Sequence, residues 1–128
     1  MNYILDTHIL IWYFIGSKRL KKTIKDVIDT ALNNGKKVLI PTIVLAEALD
    51  VAEKQKVVFD FKGMYQLIKN DDRFEIIGFS QVIFEEVMKL KTIPEIHDRI
   101  IVACAKFYSA SIITKDKIIR NSDEINTL

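Results

Sequence analysis

Short runs of buried-type aliphatic residues recur along this chain, separated by segments of helical periodicity. The runs are Tyr3–Leu5, Val38–Ile40, Phe74–Phe79 and Ser111–Thr114. Brief, nearly unbroken apolar runs of this kind are the signature of strands covered on both faces. Between them, Thr7–Ile15 is apolar almost throughout and reads as a short helix packed on both sides. Lys22–Asn34 carries Ile24, Val27, Ile28, Ala31 and Leu32, the spacing of one helical face, and Gly35 suits the position just beyond a helix end. Pro41 stops the second strand, and Thr42 is placed to cap a helix reaching about Lys56. Phe59–Asn70 predicts another helix, weakened by Gly63, and Ser80 predicts the cap of one ending at Leu90. Beyond Pro94 a helix is expected from near Asp98 to about Ser109. A helical turn should follow the fourth strand, and Glu124–Leu128 is the candidate for a short fifth strand. Strands alternating with helices along the whole length define an α/β chain with a parallel sheet and helices on both faces.

At 128 residues, 49% of them apolar, the chain fits one domain with a substantial core. No internal repeat, low-complexity tract or linker interrupts it. The net charge of +2 is too small to identify a polyanionic partner by itself. The basic residues are grouped, however, with Lys18, Arg19, Lys21, Lys22 and Lys25 in one cluster and Lys115, Lys117 and Arg120 in another. Either group serves equally as a solvated face. A single cysteine, Cys104, excludes an internal disulfide and a cysteine-rich zinc site, and its apolar setting marks it as a small buried hydrophobe. No secretory signal is recognisable, because Asp6 interrupts the start. The run Ile9–Ile15 falls far short of the ~20 residues that a membrane span needs. A soluble protein of the reducing cytoplasm, with no membrane association, is expected.

Carboxylates are the one concentrated chemical resource. Asp6 closes the first strand, Asp116 follows the fourth, and Glu47 and Asp98 fall on helices that follow strands. In open parallel sheets, ligands bind at the carboxyl ends of the strands, so neighbouring strands would aim Asp6 and Asp116 into one crevice. Carboxylates gathered in one pocket repel one another unless a cation neutralises them, and hard oxygen donors suit Mg²⁺ or Mn²⁺. Each residue has a plainer use as well. Asp6, Asp98 and Asp116 are all placed to cap helices, and Glu47 shares a helix face with Asp50 and Lys54. Thr7 and Thr114 bring hydroxyls beside two of the carboxylates. Arg99 is suited either to a phosphate or to a carboxylate that it would hold in place. His8 and His97 adjoin acidic candidates without a metal-ligand spacing of their own. There is no glycine-rich phosphate loop, no His-Glu-x-x-His, no Cys-x-x-Cys and no nucleophile-elbow motif.

The order and context of these residues resemble the PIN-domain ribonucleases, and within them the VapC-like toxins of bacterial toxin–antitoxin pairs. The matching segments are Leu5-Asp6-Thr7-His8-Ile9-Leu10-Ile11-Trp12 and Pro41-Thr42-Ile43-Val44-Leu45-Ala46-Glu47. They continue with His97-Asp98-Arg99-Ile100-Ile101-Val102-Ala103 and Ile113-Thr114-Lys115-Asp116. The resemblance implies a three-layer α/β/α sandwich around a parallel sheet of four or five strands. It implies an acidic pocket of Asp6, Glu47, Asp98 and Asp116 that binds Mg²⁺ or Mn²⁺ and does the catalysis, with Thr114 lining it. Thr7, Arg99 and Lys115 are the accompanying candidates for substrate binding or support. RNA as substrate, a protein antitoxin as partner and a homodimer are implied too. Part of the continuous apolar run Ile9–Ile15, or of Phe59, Phe61, Met64 and Tyr65, is expected to be covered by a second copy or by another protein. Three other readings stay open: an RNA-processing nuclease without an antitoxin, a non-catalytic nucleic-acid-binding module, and an acidic-pocket phosphatase. Against one class of such phosphatases, Thr7-His8 stands where a second aspartate is usual.

Overall fold

The computed structural model describes residues 2–114 and 118–119. The chain opens with strand β1 (Asn2–Leu5), followed by helices α1 (Thr7–Ile15) and α2 (Lys22–Asn33). Strand β2 (Val38–Pro41) leads into α3 (Thr42–Glu53) and α4 (Phe61–Asn70). Strand β3 (Phe74–Ile77) is followed by α5 (Gln81–Lys89) and α6 (Ile96–Phe107). Strands β4 (Ala110–Ile113) and β5 (Ile118–Ile119) complete the described elements.

The sheet order is β3-β2-β1-β4-β5. β1 pairs in parallel with β2 (Ile4 beside Leu39) and with β4 (Ile4 beside Ile112), and β2 pairs in parallel with β3. The chain therefore steps outward from β1 to β2 to β3, then crosses back to place β4 on the other side of β1. Crossovers of one hand, run in opposite directions, cover opposite faces of the sheet with helices. The result is a mixed α/β fold with a four-stranded parallel sheet at its centre. The reversal falls between β1 and β4, and their carboxyl ends are where such a sheet opens a crevice.

The burial explains the runs of aliphatic residues. All four residues of β2 and all four of β4 are buried, as are Ile4 and Leu5 of β1. Cys104 is sealed within α6, and burial pushes its thiol up to about 11, leaving it inert at neutral pH. A polar tether joins α1 to α2. The Tyr13 hydroxyl donates to Asp29 Oδ1 at 2.6 Å, and that bond, aided by Lys25, holds the Asp29 carboxyl below its ordinary value. No helix among the described residues is long and apolar enough to cross a membrane.

Several boundaries depart from the sequence reading. Thr42 is not a cap but the first residue of α3, and Pro41 ends β2 and precedes α3 with no loop between. Proline's fixed φ, here −63°, suits both places. Glu95, not Asp98, caps α6, which puts Asp98 in the first turn. β5 lies where a helical turn was expected, and it pairs antiparallel to β4, so the sheet is not parallel throughout. The Glu124–Leu128 strand lies outside the described residues. Of the apolar surface expected to be covered in part by another chain, Ile9, Leu10, Ile11, Trp12 and Met64 are buried within the monomer, while Tyr13, Phe14, Phe59, Phe61 and Tyr65 are half-buried and Ile15 is exposed. Gly35 behaves as read, in the left-handed conformation at φ 75° just beyond α2. There the Lys36 N–H closes the turn on the Ala31 carbonyl.

Candidate active site

The carboxyl end of β1 carries Asp6, whose N–H donates to the Ile113 carbonyl at the end of β4. Continuing the register of Leu5 beside Ile113 sets Asp6 level with Thr114 across the two strands. Asp6 also caps α1, its Oδ1 accepting the Ile9 N–H at 3.1 Å. Capping fixes the side chain at the mouth of the crevice.

The next residue, Thr7, is 8% exposed, and its hydroxyl donates to Glu47 Oε1 at 3.0 Å. Glu47 comes from the second turn of α3, so this bond pins α3 to the start of α1. On the far side stands the first turn of α6. His97 Nδ1 lies 3.2 Å from Glu95 Oε1 and 3.8 Å from Glu47 Oε2. Glu95 Oε2 accepts the Asp98 N–H at 3.1 Å, so one carboxylate both caps α6 and steadies the imidazole. Burial, then the charge of Glu95, pushes the Asp98 carboxyl above its ordinary value, and His97 works against that rise.

These groups line one cleft of about 550 Å³. Asp6, Glu47 and Asp98 all face it, together with Thr7. Thr114 sits at the same sheet edge, partly buried, but is not among the cleft-lining residues. Arg99 is elsewhere: its Nε donates to the Ile93 carbonyl, bracing the turn between α5 and α6, and neither of its expected roles is what that nitrogen does. Asp116 and Lys115 lie outside the described residues.

The cleft also holds groups that sequence reasoning did not assign: Asp50, Glu95, His97, His8 and Lys56. Asp50 was visible as the residue three past Glu47 on one helix face. Glu95 follows Pro94 and sits three residues before Asp98, the spacing of a cap to the N–H it accepts. Lys56 gave no signal, since its place depends on how α3 ends.

Among the described residues, no three of the His, Cys, Asp and Glu side chains already stand close enough to hold an ion. The donors that face the cleft are nonetheless mainly carboxylates, five beside the imidazoles of His8 and His97 and no thiolate, a balance that favours hard cations such as Mg²⁺ and Mn²⁺. The donor set fits such an ion, with Asp6, Glu47 and Asp98 as the described candidates.

A parallel α/β sheet with an acidic cleft at its switch point defines the class of protein. The sequence matches the PIN domain family model over residues 3–125. The chain belongs to that family. Among solved structures, it resembles a chain in the crystal structure of VapBC2 from Rickettsia felis bound to a DNA fragment from its promoter. That match has a TM-score of 0.69 and 23% identity, covering 89% of this chain and 87% of the other. A chain of a toxin–antitoxin complex from Klebsiella pneumoniae matches with a TM-score of 0.59 and 24% identity, covering 95% and 88%. No curated protein matches the sequence significantly.

Proposed function

We propose that this chain is a metal-dependent endoribonuclease and the toxin of a toxin–antitoxin pair. The observation that carries the reading is the meeting of Asp6, Glu47 and Asp98 in one cleft at the switch point of a PIN-family sheet. The toxin assignment is supported by the resemblance to chains from a VapBC2 complex and a toxin–antitoxin complex. Asp6, Glu47, Asp98 and Asp116 would hold Mg²⁺ or Mn²⁺. When bound, such an ion lowers the pKa of a water and offsets the charge that builds on a phosphodiester under attack.

The chain's own contribution is positional. Thr7 restricts the Glu47 carboxylate to one orientation, and the backbone of α1 does the same for Asp6. Glu95 holds the first turn of α6 and thereby Asp98. Partial burial of Asp98 keeps water from screening the site fully, which strengthens its hold on a cation once the carboxylate is ionised.

The test is direct. Purified protein with single-stranded RNA and Mg²⁺ or Mn²⁺ should give internal cleavage that EDTA abolishes. A small protein encoded beside it should suppress that cleavage. Cleavage that the neighbour leaves untouched would favour an RNA-processing role, and intact RNA under all conditions would favour a non-catalytic module.

A homodimer belongs to the same reading, and α5 offers a further apolar surface for it. Phe79 and Phe84 are exposed with rings 6.3 Å apart, and Met88 lies one turn further along α5. Light scattering of the isolated protein should report twice the monomer mass at micromolar concentration; a single-chain mass would rule the dimer out.

A further inference from the structure

Among the described residues, one lysine and no arginine line the cleft, beside five carboxylates, Asp6, Glu47, Asp50, Glu95 and Asp98. It is Lys56, beyond the end of α3. Among the described residues it has no ion-pair partner, because Lys54 takes Asp50 at 3.2 Å. The backbone puts it there. After α3, the Gln55 N–H bonds the Ala52 carbonyl and the Lys56 N–H bonds the Val51 carbonyl, each at 3.1 Å. This paired closure needs a left-handed residue at its corner, and Gln55 takes φ 54°. In the matching turn after α2 that corner is Gly35, which adopts it without strain. The residue after such a corner is commonly apolar and packs back on the helix. In both turns it is a lysine, Lys36 and Lys56, and here both Lys56 and Val51 face the cleft.

We propose that Lys56 is a substrate-binding residue whose ammonium takes a backbone phosphate of the polynucleotide beside the one to be cut. The inference rests on the nuclease reading above. A polyanion entering a cleft rimmed by carboxylates is repelled along its length. A lysine at the cleft wall, its backbone set by the closure after α3, gives one phosphate a resting place and so sets the register of the strand. A lysine that served only to neutralise neighbouring carboxylates would stand within ion-pair range of one of them, and among the described residues it does not.

The experiment compares Lys56→Gln, Lys56→Arg and Lys36→Gln, the last at the opposite end of the sheet. Binding of a labelled single-stranded RNA is measured against NaCl in an Asp6→Asn background, and cleavage kinetics are measured in the active protein with Mg²⁺. Lys56→Gln should reduce the slope of log affinity against log salt by about 0.7, one phosphate contact on a single strand. It should raise KM about five- to tenfold with kcat within about twofold, as expected for loss of one exposed charged contact. Lys56→Arg should restore most of both, and Lys36→Gln should change neither. A thermal melt establishes that each variant is folded. An active enzyme in which Lys56→Gln keeps the parent salt slope and KM overturns the proposal while leaving the nuclease reading intact. A parent protein that neither binds nor cuts RNA overturns both.

Discussion

Replacing Asp6 with Asn should lower RNA cleavage by more than about 100-fold while leaving the fold almost as stable as before. Partners in the outer shell of metal sites already cost ~10–100-fold when removed, so a residue placed to touch the ion should cost more. Stability should survive because Asn caps a helix about as well as Asp, and the bond from the Ile9 N–H to Asp6 Oδ1 has an equivalent in the amide oxygen. Two smaller effects oppose each other. The lost charge weakens the interaction with the helix dipole, and it relieves repulsion from the other cleft carboxylates. A melt within about 0.5 kcal/mol of the parent is expected, alongside turnover assays in Mg²⁺ and in Mn²⁺. Unchanged turnover in both metals would leave Asp6 as a cap and nothing more.

The largest effect on stability should come from Ile4→Ala. Ile4 is fully buried on the middle strand, with Leu39 on one side and Ile112 on the other. Removing its side-chain branch leaves a void that neither flanking strand can close without breaking its ladder. A cost of about 2–5 kcal/mol follows, a large share of the ~5–15 kcal/mol typical of a domain. The melting temperature should fall by roughly 10 °C or more. Val58→Ala is the natural control, since Val58 is 85% exposed and should cost almost nothing. Equal melting temperatures for the two variants would contradict the central position of β1.

The strands were legible because burial on both faces writes itself as consecutive aliphatic residues, with no polar alternation to blur it. Helices with one wet face, such as α2, were legible for the same reason in the helical period. What the sequence concealed was the chain's behaviour at element ends. Thr42 and Asp98 both look like caps, but Pro41 and Glu95 take those places, since backbone angles rather than side-chain type decide where a helix begins. How much of α1 the monomer covers was hidden, because a continuous apolar run fits a helix buried on all sides as well as one half covered by a partner; its first turns are buried and Ile15 is exposed. Asp6 and Glu47 could be singled out because they follow β1 and β2 in the chain, and Asp98 because it opens a helix beyond Pro94. The tether from Thr7 to Glu47 spans forty residues of sequence, and no local pattern announces it. The same is true of Lys56, whose position depends on an unfavoured Gln55 conformation.

The pairing of β1 with β4 brings residues 2–5 against residues 110–113. The two walls of the switch-point crevice therefore come from segments over a hundred residues apart, with α1 to α6 between them in sequence. As the chain emerges from its N-terminal side, the Asp6 edge has no β4 beside it until residues 110–113 have left the ribosome. Asp6, Glu47 and Asp98 are all made by then, so closing the crevice is a late step that rests on one strand pairing. A cut in the link between α6 and β4 would part the two walls while leaving Asp6, Glu47 and Asp98 on one fragment. In this topology a single ladder is the latch of the cleft.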